Sequence, residues 1–522
     1  MASFIAIIRY ALLETFFCIS ILAKTDMGIN INSLFAGTKI DIVVGNPPWE
    51  KIRYEERKFF KPIQSEISAI SQKNKRQTAI EKLNIQAPLC YEWHRQVNDD
   101  YTNFRNEVKK HPLISKSLSG ELNTYVLFTE LSLNIIGENG ALSLIVKSAI
   151  ATSPACKPFF TQITKQKNLA SICLFNNSLH IFDIDSREKF CVITCTKKAN
   201  PSFELVAGAT KAEELHFAER ISLTTKDMNV INPYSQMLPN ISKNTDVQIL
   251  LAAHKRLPLF DAVYPACHYG RLVHLTSHAR YIDTALKDSN VPIYEGKFIE
   301  QYDARFATFA DIPETQRYSA KAHAKKNASV GSEKPLPECR YFIQKEFWKK
   351  LSSNYVEPYM LCWRSLTSQT NARTTLAMLL PTMPTCQSIQ FLQTDSVTDL
   401  MMMLALLNSK PFDFLVRLKM PGIDLTQSVI RQIPAPSRDI YQQHIRFLNI
   451  ELPLERHILE RVAVILSREP MLSSMFKSTE PPSEKIRKKS NPTLEKELDD
   501  LFFIAYGFSP AESREIQNAF KI

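Results

Sequence analysis

The chain contains very little glycine, and this limits the folds that it can adopt. There are 12 glycines in 522 residues, whereas average usage of about 7% would give roughly 37. No two of them stand in a Gly-x-Gly arrangement. Because Rossmann and P-loop phosphate-binding turns need closely spaced glycines, the sequence contains neither fingerprint in complete form.

Composition and charge narrow the class of protein further. Hydrophobic residues make up 44% of the chain and charged residues 22%. This excludes disordered, collagen-like and multi-span membrane proteins and leaves a globular protein of two to four domains. Lys and Arg number 64 against 53 Asp and Glu, and the net charge of +11 suits a polyanionic partner. The ten cysteines form no C-x-x-C pair, so we expect reduced thiols in the cytoplasm and no zinc ribbon.

The first 23 residues are apolar enough to suggest a membrane or signal segment. Arg9 and Glu14 interrupt the run, and no small-residue cleavage site follows it. A membrane span needs about 20 apolar residues with few charges. We therefore predict a buried amphipathic helix and no membrane association, with a membrane segment as the alternative.

Alternating strand and helix patterns predict an α/β sheet up to about residue 200. Apolar runs predict strands at residues 29–31, 40–44, 141–146, 169–175 and 190–196. The strand at 40–44 is apolar almost without interruption, which is typical of a strand that is buried on both faces. Residues 50–111 are charged and are predicted to be largely helical.

The chain divides by pattern into four regions. These are an α/β domain, a polar connector, a mixed α+β domain and a helical region, at residues 1–200, 201–260, 261–440 and 441–522. The last region contains residues 478–492, whose Pro, Ser and charge content predicts an exposed linker. Its basic run at 485–489 is expected to be solvated, with phosphate contact as the alternative.

The sharpest chemical signal is Asn46-Pro47-Pro48-Trp49, which directly follows the strand at 40–44. Two prolines fix φ and remove backbone donors, so the carbonyls of the turn are left to accept hydrogen bonds. An exocyclic amine could donate to the Asn46 side-chain oxygen and the Pro47 carbonyl while its base stacks on Trp49. Two acceptors draw an sp² amine toward tetrahedral geometry and free its lone pair for attack. The structural alternative is a strand-terminating turn capped by Asn46, with Trp49 as a core aromatic.

Residues 41–50 resemble motif IV of the gamma-class adenine-specific DNA methyltransferases, which transfer a methyl group from S-adenosylmethionine to the adenine N6 amine. Segments similar to the helix and strands that follow in this family lie at residues 123–130, 140–150, 175–177 and 184–191. Later blocks resemble long type IIG restriction–modification enzymes, and they lie at residues 292–303, 363–367, 371–374, 407–409, 498–501 and 506–507. In those enzymes one chain carries methyltransferase and target-recognition domains.

The resemblance implies an α/β fold with a partial Rossmann-like methyltransferase sheet in residues 1–200, from motif IV onward. A mixed α+β target-recognition domain at 261–440 would bind double-stranded DNA, and a helical carboxyl-terminal region would follow. Asn46, Pro47, Pro48 and Trp49 would be the catalytic residues: Asn46 and Pro47 would hold the target amine, and Trp49 would stack on a base flipped out of the duplex. Asn32 falls where the family contacts the adenine of its cofactor, S-adenosylmethionine.

One departure from the family concerns that cofactor. The family places a glycine-rich loop and then an acidic residue ahead of motif IV, but the 45 residues before Asn46 contain neither element. We therefore expect an amino-terminally truncated or split enzyme, in which a separate polypeptide carries the cofactor-binding half. The alternative is a DNA-specificity module or inactive remnant that binds DNA without methylating it.

Basic and amide side chains in the third region are candidates for DNA contact. Arg364, Asn371 and Arg373 lie in or beside a tract rich in Ser, Thr, Asn and Gln, and such side chains bind guanine and adenine edges in the major groove. Lys297 and Arg305 are candidates for phosphate contact. The alternatives are a structural loop with solvated arginines for the tract, and solvent exposure for Lys297 and Arg305.

Two further constellations are not assigned a function. Asp283, Glu295 and Lys297 imitate an Asp…Glu-x-Lys nuclease triplet, but so loose a pattern recurs often by chance. A group of four histidines is not at zinc-ligand spacing with cysteines, and core or surface roles are expected for it: His254, His268, His274 and His278. We therefore predict no metal site.

Overall fold

The structure is a computed structural model, and it describes residues 40–70, 73–110, 122–186, 188–318, 323–326, 336–420, 422–476 and 482–521. The chain divides into two units, Met1–Asn244 and Thr245–Ile522. The predicted helix at 1–23, the predicted strand at 29–31 and Asn32 lie outside the described residues, as do residues 478–481 of the predicted linker.

The first unit is built on one six-stranded sheet. Strands β1 to β6 are Ile40–Gly45, Ile136–Lys147, Leu169–Asn176, Lys189–Thr196, Phe203–Ala209 and Ile221–Leu223. Their order is β1-β2-β4-β3-β5-β6, with β1, β2, β3 and β5 in one direction and β4 and β6 in the other. The sheet thus continues past residue 200, where the sequence predicts a connector. Strands β5 and β6 were not predicted from apolar runs, because β5 contains Glu204 and Gly208 and β6 has only three residues.

The strand β1 is not buried on both faces, contrary to the prediction from its apolar run. Ile42 and Val44 are 71% and 72% exposed. The reason is the position of β1 at the edge of the sheet: among the described residues it pairs only with β2, in parallel. Continuous apolar character therefore occurs here in an edge strand as well.

Helices α1 to α8 of the first unit are Glu56–Phe60, Ser65–Ala69, Lys73–Gln86, Pro88–Lys110, Thr124–Ile135, Ala149–Thr152, Lys157–Lys165 and Thr225–Ile231. Turns of 3₁₀ type lie at Pro154–Cys156, Asn177–Leu179 and Ala212–His216. Helix α5 is mainly apolar, and its side chains are buried from Thr124 to Leu133, as expected for a helix without a polar face. It leads directly into β2 and packs against it.

The second unit contains several small antiparallel sheets. Strands β7 to β17 are His268–Gly270, Ile282–Asp283, Asn290–Pro292, Ala307–Thr308, Lys325–Lys326, Phe342–Gln344, Tyr359–Arg364, Ala377–Pro381, Ile389–Gln393, His444–Phe447 and Ile450–Pro453. The larger sheets have the orders β14-β13-β15-β7 and β8-β12-β9, and β10-β11 and β16-β17 form pairs. Strands β13, β14 and β15 are buried along nearly their whole length and lie in the core of this unit.

Helices α9 to α20 are Asn244–Arg256, Phe260–Val263, Glu314–Arg317, Lys345–Leu351, Val397–Asn408, Lys410–Lys419, Gln427–Arg431, Arg438–Gln442, Leu454–Ser467, Glu484–Arg487, Asn491–Tyr506 and Pro510–Asn518. Turns of 3₁₀ type lie at Ala279–Tyr281, Gly296–Phe298 and Pro470–Phe476. The apolar helix α13 packs on β13 and β14, and α17 packs on α13 and α19. The core of the second unit is therefore a helix–sheet contact.

The region predicted to be helical, 441–522, also contains the hairpin β16–β17. Leu448 and Asn449 form its two-residue turn with φ values of 50° and 64°, which are typical of a type I′ turn. Leu-Asn is a weak signal for this turn, since Asn-Gly is the usual sequence. The hairpin was therefore not predicted.

The described part of the predicted linker is folded. Residues 484–487 form α18, and the Arg468 guanidinium donates to the carbonyls of Arg487 and Lys489 at 3.0 and 2.7 Å. The Lys489 ammonium also pairs with Glu497 at 2.5 Å. The polar composition predicts an exposed linker, but the structure shows a segment held by hydrogen bonds and an ion pair to neighbouring residues.

The mixed α/β class, with several sheets and many helices, is confirmed. The Rossmann-like character of the first sheet stays a prediction. Within the described ranges, no helix has both the length and the apolar character that a membrane crossing requires.

Candidate functional site

The turn Asn46–Trp49 leaves the sheet at the edge where β2, β3 and β5 also end. These four strands run in the same direction, so the segments that follow them emerge at one edge. In open α/β sheets, ligands bind outside the carboxyl ends of the strands. The predicted motif therefore lies at the edge where a ligand is expected.

Thr124, the first residue of α5, holds this turn in place. Its Oγ1 donates to the Pro48 carbonyl at 2.5 Å and accepts the Glu50 backbone N–H at 2.9 Å. The Thr124 N–H donates in turn to the Glu50 carbonyl at 2.9 Å. Thr124 is only 6% exposed, so these bonds satisfy groups that would be costly to leave unpaired. The peptide from Pro48 to Glu50 is thereby fixed to a buried helix.

The Trp49 indole is anchored as well. Its Nε1–H donates to the Ile145 carbonyl of β2 at 3.1 Å. The ring centroid lies 4.9 Å from that of Phe182 in an edge contact, and 6.1 Å from that of Phe190 at an interplanar angle of 27°. Trp49 is thus half-buried in aromatic packing, as the structural alternative requires. Its stacking on a base stays a prediction.

Asn46 and Pro47 contrast with the residues that follow them. Asn46 is exposed, and among the described residues neither its side-chain amide nor the Pro47 carbonyl has a hydrogen-bond partner. The turn therefore carries two acceptors that pair with no described residue: Oδ1 of the exposed Asn46, and the carbonyl of Pro47, a residue that is itself buried. The three residues that follow Pro47 are fixed. An amine with two hydrogens matches such a pair.

The loop after β3 is braced at the same edge of the sheet. The Asn177 side chain is fully buried; its Nδ2 donates to the Phe182 carbonyl at 3.0 Å, and its Oδ1 accepts the Phe182 N–H at 3.1 Å. Near the other end of the loop, Glu188 pairs with Lys147 of β2 at 3.3 Å. This bracing keeps the Phe182 ring against Trp49.

Tyr101 and His94 of α4, together with Tyr54 ahead of α1, are polar groups near the residues that follow the turn. Burial first, and then the carboxylates of Glu50 and Glu55, raise the pKa of Tyr101. Tyr54 Oη and His94 Nδ1 are 2.5 Å apart, and burial lowers the pKa of His94. These phenol and imidazole groups are uncharged at neutral pH, so they supply hydrogen-bonding capacity rather than charge.

The predicted phosphate contacts Lys297 and Arg305 have partners within the second unit. The Lys297 ammonium is 3.9 Å from a Glu295 carboxylate oxygen and lies 5.1 Å from the Phe309 ring centroid. Arg305 Nε is 3.6 Å from a Glu469 oxygen. Both cations are therefore partly compensated by the protein, and their contact with DNA stays a prediction.

The three candidate base readers lie in different environments. Arg364 is half-buried at the end of β13, and burial lowers the pKa of its guanidinium. Arg373 donates to Asp499 at 3.0 Å and lies over the Phe520 ring at 5.1 Å from its centroid. Asn371 is exposed on the loop between β13 and β14. Of the three, Asn371 is the one that the fold leaves accessible.

The two carboxylates of the nuclease-like triplet, Asp283 and Glu295, are each paired with a different cation of the protein. Asp283 accepts from the Lys287 ammonium at 3.1 Å. Glu295 forms a two-point ion pair with the Arg340 guanidinium at 2.9 and 3.0 Å. The carboxylates are thus occupied by cations of the protein. Within the described part of the chain, no group of three His, Cys, Asp or Glu side chains could hold a metal ion.

The binding of S-adenosylmethionine stays a prediction. Asn32, the predicted contact to its adenine, lies outside them. Gly45 ends β1, but the sequence has no closely spaced glycine to form a cradle beside it. We therefore derive no step that passes through this cofactor.

Thr124 is the site residue that sequence reasoning missed. The segment 123–130 was identified as similar to a family helix, but no role followed for its second residue. The available signal was a hydroxyl residue at the start of an apolar helix, which is also the ordinary pattern of a helix start.

No protein-family model and no curated protein matches the chain. Among solved structures, it is similar to the type IIL restriction-modification enzyme MmeI in complex with DNA, with a TM-score of 0.40 and 10% identity over 80% of this chain and 54% of that chain. The type IIG restriction endonuclease BpuSI matches with a TM-score of 0.31 and 11% identity, over 92% of this chain and 56% of that chain. The DrdV–DNA complex matches with a TM-score of 0.38 and 10% identity, over 94% of this chain and 57% of that chain. The chain thus spans just over half the length of these neighbours.

Proposed function

We propose that this chain binds an adenine turned out of double-stranded DNA and holds its N6 amine for methylation, within a site-specific methyltransferase of a restriction–modification-like system. One observation carries the proposal. Among the residues that the structure describes, Asn46 Oδ1 and Pro47 O have no hydrogen-bond partner, whereas Pro48, Trp49 and Glu50 beside them are fixed by hydrogen bonds. The resemblance to motif IV implies this arrangement for the target amine.

The two acceptors serve both recognition and reactivity. Adenine N6 has two hydrogens, so one donates to Asn46 Oδ1 and the other to Pro47 O. The nitrogen is then drawn from planar toward tetrahedral geometry, and its lone pair becomes less delocalised into the ring. Hydrogen bonds that strengthen as the nitrogen changes geometry favour the transition state over the ground state. No strong base is needed for this effect.

The DNA must be deformed for this to happen. In a duplex the adenine amine is paired and stacked, so the base has to leave the helix before it can reach a turn at the end of a sheet. The net charge of +11 favours binding to the phosphate backbone. Residues 261–440 supply target recognition in this proposal.

S-adenosylmethionine is the proposed methyl donor. The sequence has no closely spaced glycines, so we propose that a separate polypeptide carries the cofactor-binding half. The lack of closely spaced glycines in the sequence also supports a second candidate, a DNA-specificity module that binds DNA without methylating it.

The first experiment tests amine recognition without the cofactor. The probe is a 24-base-pair duplex with one adenine opposite an abasic site, compared with the same duplex carrying purine deoxyribonucleoside, which lacks the N6 amine. We expect tighter binding of the adenine duplex, by roughly tenfold for two hydrogen bonds, and loss of that preference in Asn46→Ala. The control is Asn98→Ala, an exposed amide on α4. Equal affinity of the wild-type chain for both duplexes would refute the proposal.

A second experiment separates the enzyme from the specificity module. Genomic DNA is incubated with S-adenosylmethionine and the chain, alone and with the product of any adjacent gene that encodes a glycine-rich motif, and N6-methyladenine is quantified by mass spectrometry. Methylation that requires Asn46 supports the enzyme. Amine-selective binding without methylation in any combination supports the module. We also expect calorimetry to show no micromolar binding of S-adenosylmethionine to the chain alone.

A further inference from the structure

We propose that Thr124 is a positioning residue of the amine-binding site, which sets the direction of the Pro47 carbonyl by holding the peptides that follow it. This inference rests on the proposed function, because it concerns the same two acceptors. It assigns a role to a residue 76 positions away from Pro48 in sequence.

The turn contains several carbonyls that could accept a hydrogen bond. Asn46, Pro47 and Pro48 each carry one, and the two prolines lack an N–H. An amine that enters this turn could therefore meet more than one carbonyl. Thr124 Oγ1 donates to the Pro48 carbonyl at 2.5 Å, which removes that carbonyl from competition. The Pro47 carbonyl accepts no hydrogen bond from any described residue.

The hydroxyl group is suited to this task because it both donates and accepts. While its proton is given to Pro48 O, its oxygen accepts the Glu50 N–H at 2.9 Å. One side chain thus fixes both ends of the Pro48–Glu50 segment. The Thr124 N–H on the Glu50 carbonyl at 2.9 Å adds a third bond.

The anchor itself cannot move easily. Thr124 is 6% exposed and begins a helix whose side chains are buried as far as Leu133. A close-packed interior has low compressibility, so a residue anchored in it is held in position and passes strain to the groups bonded to it. The bonds of Thr124 therefore fix the position of the Pro47 carbonyl relative to α5, and the Trp49–Ile145 bond fixes the same turn relative to β2.

The test uses the ratio of affinities for the adenine and purine duplexes defined above. Thr124→Val keeps the shape of the side chain and removes every hydroxyl contact with Pro48 and Glu50. We expect it to reduce a wild-type preference of about tenfold to less than threefold. Thr124→Ser keeps the hydroxyl and is expected to retain the preference. Thr124→Ala is measured in parallel in case the valine variant does not fold, and circular dichroism checks each protein.

Thr129→Val is the matched control. Thr129 lies on the same helix, is fully buried and donates only to the Tyr125 carbonyl one turn earlier, at 2.7 Å. A merely structural role of Thr124 would lower the melting temperature in both valine variants and leave the affinity ratio unchanged in both. A changed ratio in Thr124→Val alone supports positioning.

The outcomes distinguish the two proposals. A wild-type ratio near one refutes the proposed function itself. A clear wild-type preference that disappears in Asn46→Ala but survives in both Thr124→Val and Thr124→Ala overturns positioning alone. Loss of preference in Thr124→Ser as well as Thr124→Val would overturn it too, because the hydroxyl would then not be the cause.

Discussion

The Arg373 guanidinium donates to the Asp499 carboxylate at 3.0 Å. The same carboxylate accepts the backbone N–H of Lys410 at 2.7 Å, and its side chain is only 7% exposed. Arg373, which the sequence predicts to contact base edges, therefore links the loop after β13 to helix α19 within its own unit. Any contribution of Arg373 to DNA binding has to be separated from this structural one.

Asp499→Asn should destabilise the second unit strongly. The substitution leaves the Arg373 charge without its partner in a site where its side chain is 19% exposed, and breaking such a pair costs about 3–5 kcal/mol. Thermal unfolding followed by calorimetry measures the effect. Asp500→Asn is the control, since Asp500 is 41% exposed and pairs with Lys496 at 3.6 Å; its loss should cost less than about 1 kcal/mol. Equal melting temperatures for the two variants would contradict this interpretation.

Asn371→Ala should behave in the opposite way. The Asn371 side chain is exposed, and surface substitutions away from special features usually change stability by less than about 0.5 kcal/mol. If this loop reads a base edge, removing the amide relaxes sequence preference at one position by about 1–3 kcal/mol. Selection from a random duplex pool followed by sequencing measures the preference. An unchanged profile would remove Asn371 from the set of base readers.

Sequence reasoning succeeded where a local pattern decides the structure. The strands at 141–146, 169–175 and 190–196 were found from their apolar runs, and Asn46 lies at the predicted end of a strand. It could not find Thr124 or the partner of Arg373, because these bonds join residues 76 and 126 positions apart. The spacing of apolar residues along the sequence carries no information about such long-range pairs. The position of β1 at the edge of the sheet that the described residues form was missed for the same reason, because strand order depends on contacts between residues far apart in the chain.

Stability of the second unit should fall in mild acid because of His254. Lys419 Nζ, itself buried, donates to His254 Nε2 at 2.9 Å. Burial, and then the Lys419 charge, lower the pKa of His254 from 6.5 to about 3. The unfolded chain therefore binds a proton below pH 6.5 that the folded chain does not bind, and stability is lost as the pH falls through this range. At pH 5 the loss is about 2 kcal/mol.

His254→Gln tests this dependence, because glutamine offers Lys419 an acceptor and does not titrate. Urea unfolding at pH 5, 6, 7 and 8 should show a flatter profile below pH 6.5 for this variant than for the wild-type chain. His444→Gln is the control on an exposed strand residue, and it should leave the slope unchanged. A wild-type slope that persists in His254→Gln would assign the acid sensitivity to other groups.

Trp49→Phe should weaken the site more than it weakens the fold. The phenyl ring keeps the contacts with Phe182 and Phe190, but the Ile145 carbonyl loses its donor, which costs about 1–3 kcal/mol if no water replaces it. Because Trp49 adjoins the unpaired acceptors, we expect affinity for the adenine duplex to fall about three- to tenfold at a temperature well below unfolding. Trp93→Phe on α4 is the control, since among the described residues its indole N–H has no partner. If both variants bind the adenine duplex as the wild-type chain does, Trp49 is a core aromatic and does not contribute to base binding.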